Sequence, residues 1–435
     1  MRQIQHIRIA SSAQFTEQLL QWAQQFEQVI WLDSNQYPQQ YGSFDAVLAV
    51  DAASSLRIDS TNAFQELHKY HSALNDYIFG YLSYDLKNDT ENLQSANSDG
   101  LAFPDLYFFQ PKKLFFITKD MVEVRYLNAY AKEISTDLSA IQQTVPTGNS
   151  TEATGHTNPV KIKKRISKAT YLAQLNTLQT HIHRGDIYEV NFCQEFYAEQ
   201  AHINPLAVYR QLNAISNPPF ASYSKFDQHY ILCASPERFI RKQGDVILSQ
   251  PIKGTAKRLK NKQADKALAL ALAHDLKERA ENIMIVDLVR NDLAKIAQKG
   301  SVKVEELCKV YSFDQVHQLI STISAKVANE LSPVTIIKSL FPMGSMTGAP
   351  KLSAMQLIEK YEASKRGVYS GAIGYISPVG DFDFNVVIRS ILYNANNKYL
   401  SYSVGGAITA KSIPEKEYEE CLLKAIAMKK ALVTQ

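Results

Sequence analysis

Residues 275–293, D-L-K-E-R-A-E-N-I-M-I-V-D-L-V-R-N-D-L, constrain this chain more than any other stretch. Glu278 and Glu281 stand three apart, which on a helix sets both carboxylates on one face, while Met284, Ile285, Leu288 and Val289 turn toward a core. An isolated Asp-x-x-Glu is ordinarily a helix N-cap with its capping-box partner, here Asp275 and Glu278, but that reading leaves Glu281 unexplained. Glu417 and Glu420 repeat the spacing in E-Y-E-E-C-L-L-K, on a segment whose Tyr418, Leu422, Ala425 and Met428 predict a second amphipathic helix. If the fold brings the two doublets together, they form an oxygen-rich cage for a hard divalent ion. Magnesium suits it best, because it takes few carboxylates and keeps positions open for an anionic substrate.

With 435 residues, 45% of them hydrophobic, the chain has material for a large core. Lys and Arg number 47 against 43 Asp and Glu, a formal charge of +4, so the balance calls for no nucleic acid and no membrane as partner. The basic run K-I-K-K-R-I-S-K (161–168) reads as a solvated entry to a helix. Cys193, Cys233, Cys308 and Cys421 lie far apart and form no C-x-x-C pair, which suggests neither a disulfide framework nor a zinc site. No signal peptide or apolar run of membrane-spanning length is present, and a cytoplasmic enzyme is expected.

Residues 1–145 alternate short strands (7–10, 29–32, 46–50) with a helix over 63–74 and an aromatic strand and turn over 77–86. Residues 146–159 are poor in apolar side chains and rich in turn formers, which marks a linker before a second region, 160–435. There Thr170 caps a helix carrying Tyr171, Leu175, Leu178 and Ile182 and ending at Gly185. In 187–196, Tyr188, Val190, Phe192 and Phe196 share one strand face, and Glu189, Asn191, Cys193 and Glu195 the other. Pro236 breaks a strand over 230–240, and the spacing assigns Glu237 beside it to the surface. Lys253, in P-I-K-G-T, sits between Ile252 and Gly254; such lysines are mostly solvated, yet desolvation makes an amine nucleophilic. His317 lies in an apolar strand, where a hydrogen-bonded core histidine is the ordinary case.

Toward the C-terminus, F-P-M-G-S-M-T-G-A-P-K (341–351) makes a glycine loop opening at Pro350 into a helix, whose start favours an anion. A meander follows over 369–377, 382–393 and 399–408, with Arg389 on the polar face of its middle strand, suited to grip a carboxylate. Lys424, four after Glu420, is an i,i+4 salt-bridge partner.

P-I-K-G-T, E-R-A-E-N-I-M-I-V-D-L-V-R-N-D, F-P-M-G-S-M-T-G-A-P-K, Y-S-G-A-I-G-Y and G-G-A-I with its closing E-x-x-E, in this order, resemble the chorismate-utilising enzymes. The resemblance covers 160–435 and reaches into the first region through G-Y-L-S-Y-D-L (80–86). It implies an α+β fold in which large antiparallel β-sheets pack face to face with helices outside. It implies magnesium bound directly by Glu281 and Glu420, with Glu278 and Glu417 in support. Tyr369, Arg389, the backbone at Gly405 and Gly406, and Lys424 match positions that grip the substrate's carboxylates; Thr347 and His317 match positions near its ring, and Glu237 matches the general acid.

P-I-K-G-T further resembles the branch that makes 4-amino-4-deoxychorismate, for 4-aminobenzoate and folate synthesis, with Lys253 as nucleophile; relatives that make anthranilate carry alanine there. At Glu189, ammonia-using members show glutamine and water-using members lysine, so the resemblance departs at this position, and Glu189 is expected to orient ammonia or accept a proton. The cysteine contexts F-C-Q, L-C-A, L-C-K and E-C-L lack a nucleophile elbow, so a separate glutamine amidotransferase chain is the expected ammonia source. A pocket for an aromatic amino acid is expected near W-L-D-S (31–34). The alternatives are an anthranilate-forming relative and a non-catalytic ligand-binding one; the latter would have lost an acidic ligand or Arg389, and both are kept.

Overall fold

The computed structural model describes residues 1–37, 41–145, 160–313 and 316–433; the linker expected at 146–159 lies outside them. Two long strands, Ala46–Ile58 and Leu106–Thr118, set the architecture. They pair along their length with a register shift between Ala52 and Ser54, and there the ladder forks. On one side of the shift the ladder extends to Gln28–Asp33 and Met121–Leu127, on the other to Ile78–Leu82. A bulge bends and twists a strand, which lets one pair serve two layers.

From the fork, one antiparallel run continues through Gln28–Asp33, Phe220–Phe226, His229–Ser235, Ser390–Asn394, Tyr399–Ile408 and Glu189–Ala198. The other continues through Ile78–Leu82, Ala372–Ile376, Phe382–Val386, Arg238–Gln243, Val246–Gln250 and Val316–Lys326. Side chains from both runs, among them Ile30, Phe226, Ile231 and Leu392 from the first and Phe79, Tyr81, Ile373 and Tyr375 from the second, make one core between them. Helices Ser12–Ala23, Lys168–Arg184, Pro205–Ser216 and Pro414–Val433 cover the outside of the first run through Leu19, Trp22, Tyr171, Leu175, Tyr209 and Met428. Helices Ala63–Leu74, Leu276–Ala294 and Pro333–Leu340 cover the second through Phe64, Leu67, Val286, Leu293 and Ile337. This is the expected α+β sandwich, two antiparallel layers face to face with helices outside. Strands from either side of 146–159 interleave in it: Gln28–Asp33 lies against Phe220–Phe226, and Ile78–Leu82 against Ala372–Ile376.

The periodicities place most faces correctly. Tyr171, Leu175, Leu178 and Ile182 are the buried residues of Lys168–Arg184 and Gly185 is its left-handed C-cap, but the N-cap is Ser167, whose hydroxyl accepts from the Thr170 amide at 3.0 Å. The middle strand of the meander is in fact two. After Val386 the chain leaves the second layer, and it rejoins the first at Ser390; Arg389, with φ of 54°, sits at the crossing. On Leu276–Ala294 the buried face centres on Asn282, Ile285 and Val286, with Met284, Leu288 and Val289 only partly covered. The rotation follows from Asn282, which donates to the Leu319 carbonyl at 3.4 Å and accepts from the Ser321 hydroxyl. All four cysteines are free and buried, and no described helix is long and apolar enough to cross a membrane.

Candidate active site

The two acidic doublets meet. Asp275 caps its helix, accepting from the Glu278 amide at 2.9 Å, which aims Glu278 and Glu281 from the first turns toward helix Pro414–Val433 with Glu417 and Glu420. Lys277 Nζ lies 3.6 Å from Glu281 Oε1 and 3.6 Å from Glu417 Oε1, joining the helices. Burial works to lower its pKa, but the four glutamates outweigh this and hold it above the ordinary lysine value. Side-chain exposure is 4% at Glu417, 12% at Glu281 and 47% at Glu420, so the cluster has a closed floor and an open mouth. Burial pushes the Glu281 carboxyl up to about 7 against the opposing charges of Lys253 and Lys277, and its Oε1 has no hydrogen-bond partner. Glu420 is buried enough to be raised, yet Lys424, 2.6 Å away, carries it below the usual range. Lys424 also donates to the Gly405 carbonyl at 2.8 Å, tying the last helix to strand Tyr399–Ile408.

Among the described residues no three acidic, histidine or cysteine side chains are already arranged to hold a metal ion. The donor chemistry fits magnesium nonetheless: hard carboxylate oxygens from two helices, one of them buried and without a hydrogen bond, stand around the Lys277 ammonium.

Beside this cluster strand Ile252–Lys257 presents Lys253. Gly254, at φ of 81°, lets that strand press against the helix; a Cβ on it would stand 3.0 Å from Glu278 Oε2. Lys253 Nζ donates to Glu189 Oε1 at 3.1 Å, with side-chain exposures of 13% and 2%. The amine is therefore inside the site. Desolvation works to lower its pKa, but the carboxylates of Glu189 and Glu281 outweigh this and hold it above the ordinary value, so the expectation of a neutral resting amine gives way to a protonated one. Glu237, assigned by its spacing to the surface, is buried at 4% exposure because the chain turns inward at Pro236 between His229–Ser235 and Arg238–Gln243. Burial pushes its carboxyl up to about 7 against the Ser345 hydroxyl and the Lys253 charge.

Arg389 lies over the same region, where burial lowers its pKa against Tyr369 and Glu420; its guanidinium makes no hydrogen bond or ion pair with a described residue. Tyr369 is buried, its hydroxyl 3.6 Å from Cys193 Sγ, and Cys193 underlies Gly405, where an added Cβ would stand 2.4 Å from that sulfur. Next door, a Cβ on Gly406 would lie 3.4 Å from Glu417 Oε2. Thr347 is fully buried and donates to the Gly344 and Met343 carbonyls, and its own carbonyl accepts from the Asn191 amide at 2.8 Å. His317 is the outlier. Its ring nitrogens meet Asp265 at 3.0 Å and Ser312 at 2.8 Å, and neither partner belongs to the carboxylate cluster. Sequence reasoning missed Lys277, Ser345 and Cys193; the i,i+4 spacing of Lys277 to Glu281 was the available signal for the first.

The family described as chorismate binding enzyme matches residues 23–430. The chain belongs to the chorismate-binding enzyme family. Within that family it is 43% identical, over 64% of its length and 38% of the relative's, to the aminodeoxychorismate synthase of Streptomyces griseus. It is 40% identical, over 62% of its length and 59% of the relative's, to aminodeoxychorismate synthase component 1 of Escherichia coli. In each case the match spans less than two thirds of the relative. Anthranilate synthase component 1 of Acetivibrio thermocellus is 31% identical over 81% of this chain and 74% of its own. Among solved structures, anthranilate synthase component I of Streptococcus pneumoniae superposes with a TM-score of 0.77 at 26% identity, covering 91% of this chain and 95% of the other. The menaquinone-specific isochorismate synthase of Escherichia coli shares the fold of this chorismate-binding enzyme at 18% identity, with a TM-score of 0.75 over 99% and 95% of the two chains.

Proposed function

We propose that this chorismate-binding enzyme converts chorismate and ammonia to 4-amino-4-deoxychorismate, for 4-aminobenzoate and folate synthesis, with ammonia supplied by a separate glutamine amidotransferase chain. One observation carries the reading: a lysine amine buried in the site, 3.1 Å from Glu189, beside a neighbouring acid raised to about 7. Lys253, relieved of its proton by Glu189, attacks carbon 2 of the ring as the carbon 4 hydroxyl departs as water with the proton of Glu237. Ammonia then adds at carbon 4 and expels the lysine. Arg389, whose guanidinium makes no hydrogen bond or ion pair with a described residue, and Lys424 hold the substrate carboxylates, with Tyr369 and the glycine backbone at 405 and 406 shaping the wall. Magnesium, when bound, would be held by Glu281 and Glu420 with Glu278 and Glu417 in support, and would supply positive charge to a substrate carboxylate.

The test incubates the protein with chorismate, magnesium and ammonium and identifies the product by mass and by conversion with a lyase to 4-aminobenzoate. Lys253→Ala should abolish that product. Anthranilate formed by the unaltered protein would overturn the reading in favour of the other branch, to which the Acetivibrio thermocellus relative belongs.

A further inference from the structure

We propose that Arg366, locked to Glu362, is a positioning residue for this reaction: the pair takes the place of a strand beside Glu189–Ala198 and so fixes Glu189 against the Lys253 amine. The proposal rests on the function above, because the amine it serves is the nucleophile of that reaction.

Glu189 and Lys253 belong to different layers. Glu189 opens the last strand of the first run, and Lys253 stands on Ile252–Lys257, which pairs with Val316–Lys326 at the end of the second. Among the described residues no ladder joins these two strands, so their 3.1 Å contact depends on how each is placed separately. Tyr399–Ile408 covers one side of Glu189–Ala198 along its length. On the other side the strand meets Gly348–Ala349 at residues 189 and 190 and Lys163–Lys164 at 196 and 197, which leaves the backbone at 191 and 193 without a partner strand.

Side chains fill that gap. The Cys193 amide donates to Glu362 Oε1 at 2.8 Å, and Arg366 Nη2 donates to the Asn191 carbonyl at 2.7 Å. Arg366 holds Glu362 through two bonds of 2.8 and 2.6 Å. Its Nη1 donates to the Met346 carbonyl at 2.6 Å, next to Thr347, whose carbonyl takes the Asn191 amide. Both side chains are buried, at 3% and 4% exposure, and the guanidinium lies over the Tyr84 ring at 4.5 Å. Backbone groups at a buried strand edge must find partners, and a planar guanidinium forked on a carboxylate offers donors and an acceptor at fixed spacing, as a strand does. The edge is thus clamped immediately beyond Glu189, where any slip is carried to its carboxylate.

A double-mutant cycle tests this. Arg366→Lys keeps a charge for Glu362 but lacks the fork that reaches both carbonyls, and Glu362→Gln keeps an acceptor for the Cys193 amide without the charge. Each should lose about a hundredfold in kcat, with KM for chorismate changed less than about threefold, because Arg389 and Lys424 grip the substrate from other elements. In a Glu189→Gln background the same substitutions should cost less than about threefold in kcat, since the contact they serve is already gone. Tyr84→Leu, which removes only the ring beneath the guanidinium, should show the same pattern at smaller size and carries the cycle if the first two variants do not fold. Arg2→Met breaks a buried pair with Asp76 on the strand beside Met121–Leu127, at the far end of the first layer, and should melt several degrees lower yet keep its kcat. Equal losses in both Glu189 backgrounds, a loss confined to KM, or a matching loss of kcat in Arg2→Met overturns the positioning role. A loss that vanishes in Glu189→Gln, with anthranilate as the product, overturns the function and leaves the positioning of Glu189 standing.

Discussion

Glu237 keeps its carboxyl where water does not reach, and stability should show it. The group titrates at about 7 in the fold, against about 4.3 in an unfolded chain. Between those values the folded state holds a proton the unfolded chain has released, so stability from this group is full below about pH 4 and lost as pH rises through 7. Glu237→Gln should therefore be about 3 kcal/mol more stable than the unaltered protein at pH 8, and within about 1 kcal/mol at pH 5, by urea unfolding. An equal gap at both pH values would contradict the assignment. Lys277 gives a second prediction at this scale. Its half-exposed ammonium competes for the carboxylates a metal would use, so Lys277→Met should bind magnesium about tenfold more tightly by calorimetry, worth about 1.4 kcal/mol after solvent screening. Weaker binding would show that the lysine supports the metal instead. Residues whose role is a spacing were readable in the chain. Glu281 declared itself because a capping box does not account for it, and Glu420 because its pair with Glu417 repeats the spacing, whereas Glu237 did not, because a carboxylate after a strand-breaking proline looks solvated until the turn is known to face inward.

Among the elements, strand Tyr399–Ile408 separates two kinds of glycine that read alike in G-G-A-I. A Cβ at 405 would meet the Cys193 sulfur at 2.4 Å and the Phe192 carbonyl at 2.6 Å, whereas one at 406 would meet only the ends of side chains, Glu417 Oε2 at 3.4 Å, Lys424 Nζ at 3.8 Å and Glu420 Oε1 at 3.9 Å. Gly405→Ala should thus lower the melting temperature by several degrees, because the obstruction includes backbone, while Gly406→Ala should melt normally and lose substrate binding. A matching loss of stability in both would remove the distinction. Periodicity predicted helices such as Ala63–Leu74, Lys168–Arg184 and Leu276–Ala294 and the strands of the C-terminal meander, since 3.6-residue and 2-residue repeats of buried side chains are what the layers impose, but it assigned nothing to Ser12–Ala23, Leu106–Thr118, Met121–Leu127, Pro205–Ser216, Phe220–Phe226 or Lys262–His274. It could not predict the break at Arg389. Residues 382–393 alternate as one strand, and only the pairing of their halves with different layers exposes the crossing.

For the molecule entire, composition marked a boundary at 146–159, while the strands on either side of it are shared. Hydrogen-bond partners distant in sequence leave no local trace, which is why the interleaving was invisible in the chain. Differential scanning calorimetry of the full protein should show one transition, and residues 160–435 alone should lack a cooperative one, having lost the neighbours of Phe220–Phe226 and Ala372–Ile376. Two separated transitions would restore a division into independent units. The same economy of partners governs the acidic cleft. Because Lys277 is anchored in one helix and clasped by Glu417 of the other, stripping divalent ions with a chelator leaves the two helices stapled by an internal cation, so the enzyme should lose turnover on dialysis yet recover it at once when the ion is returned.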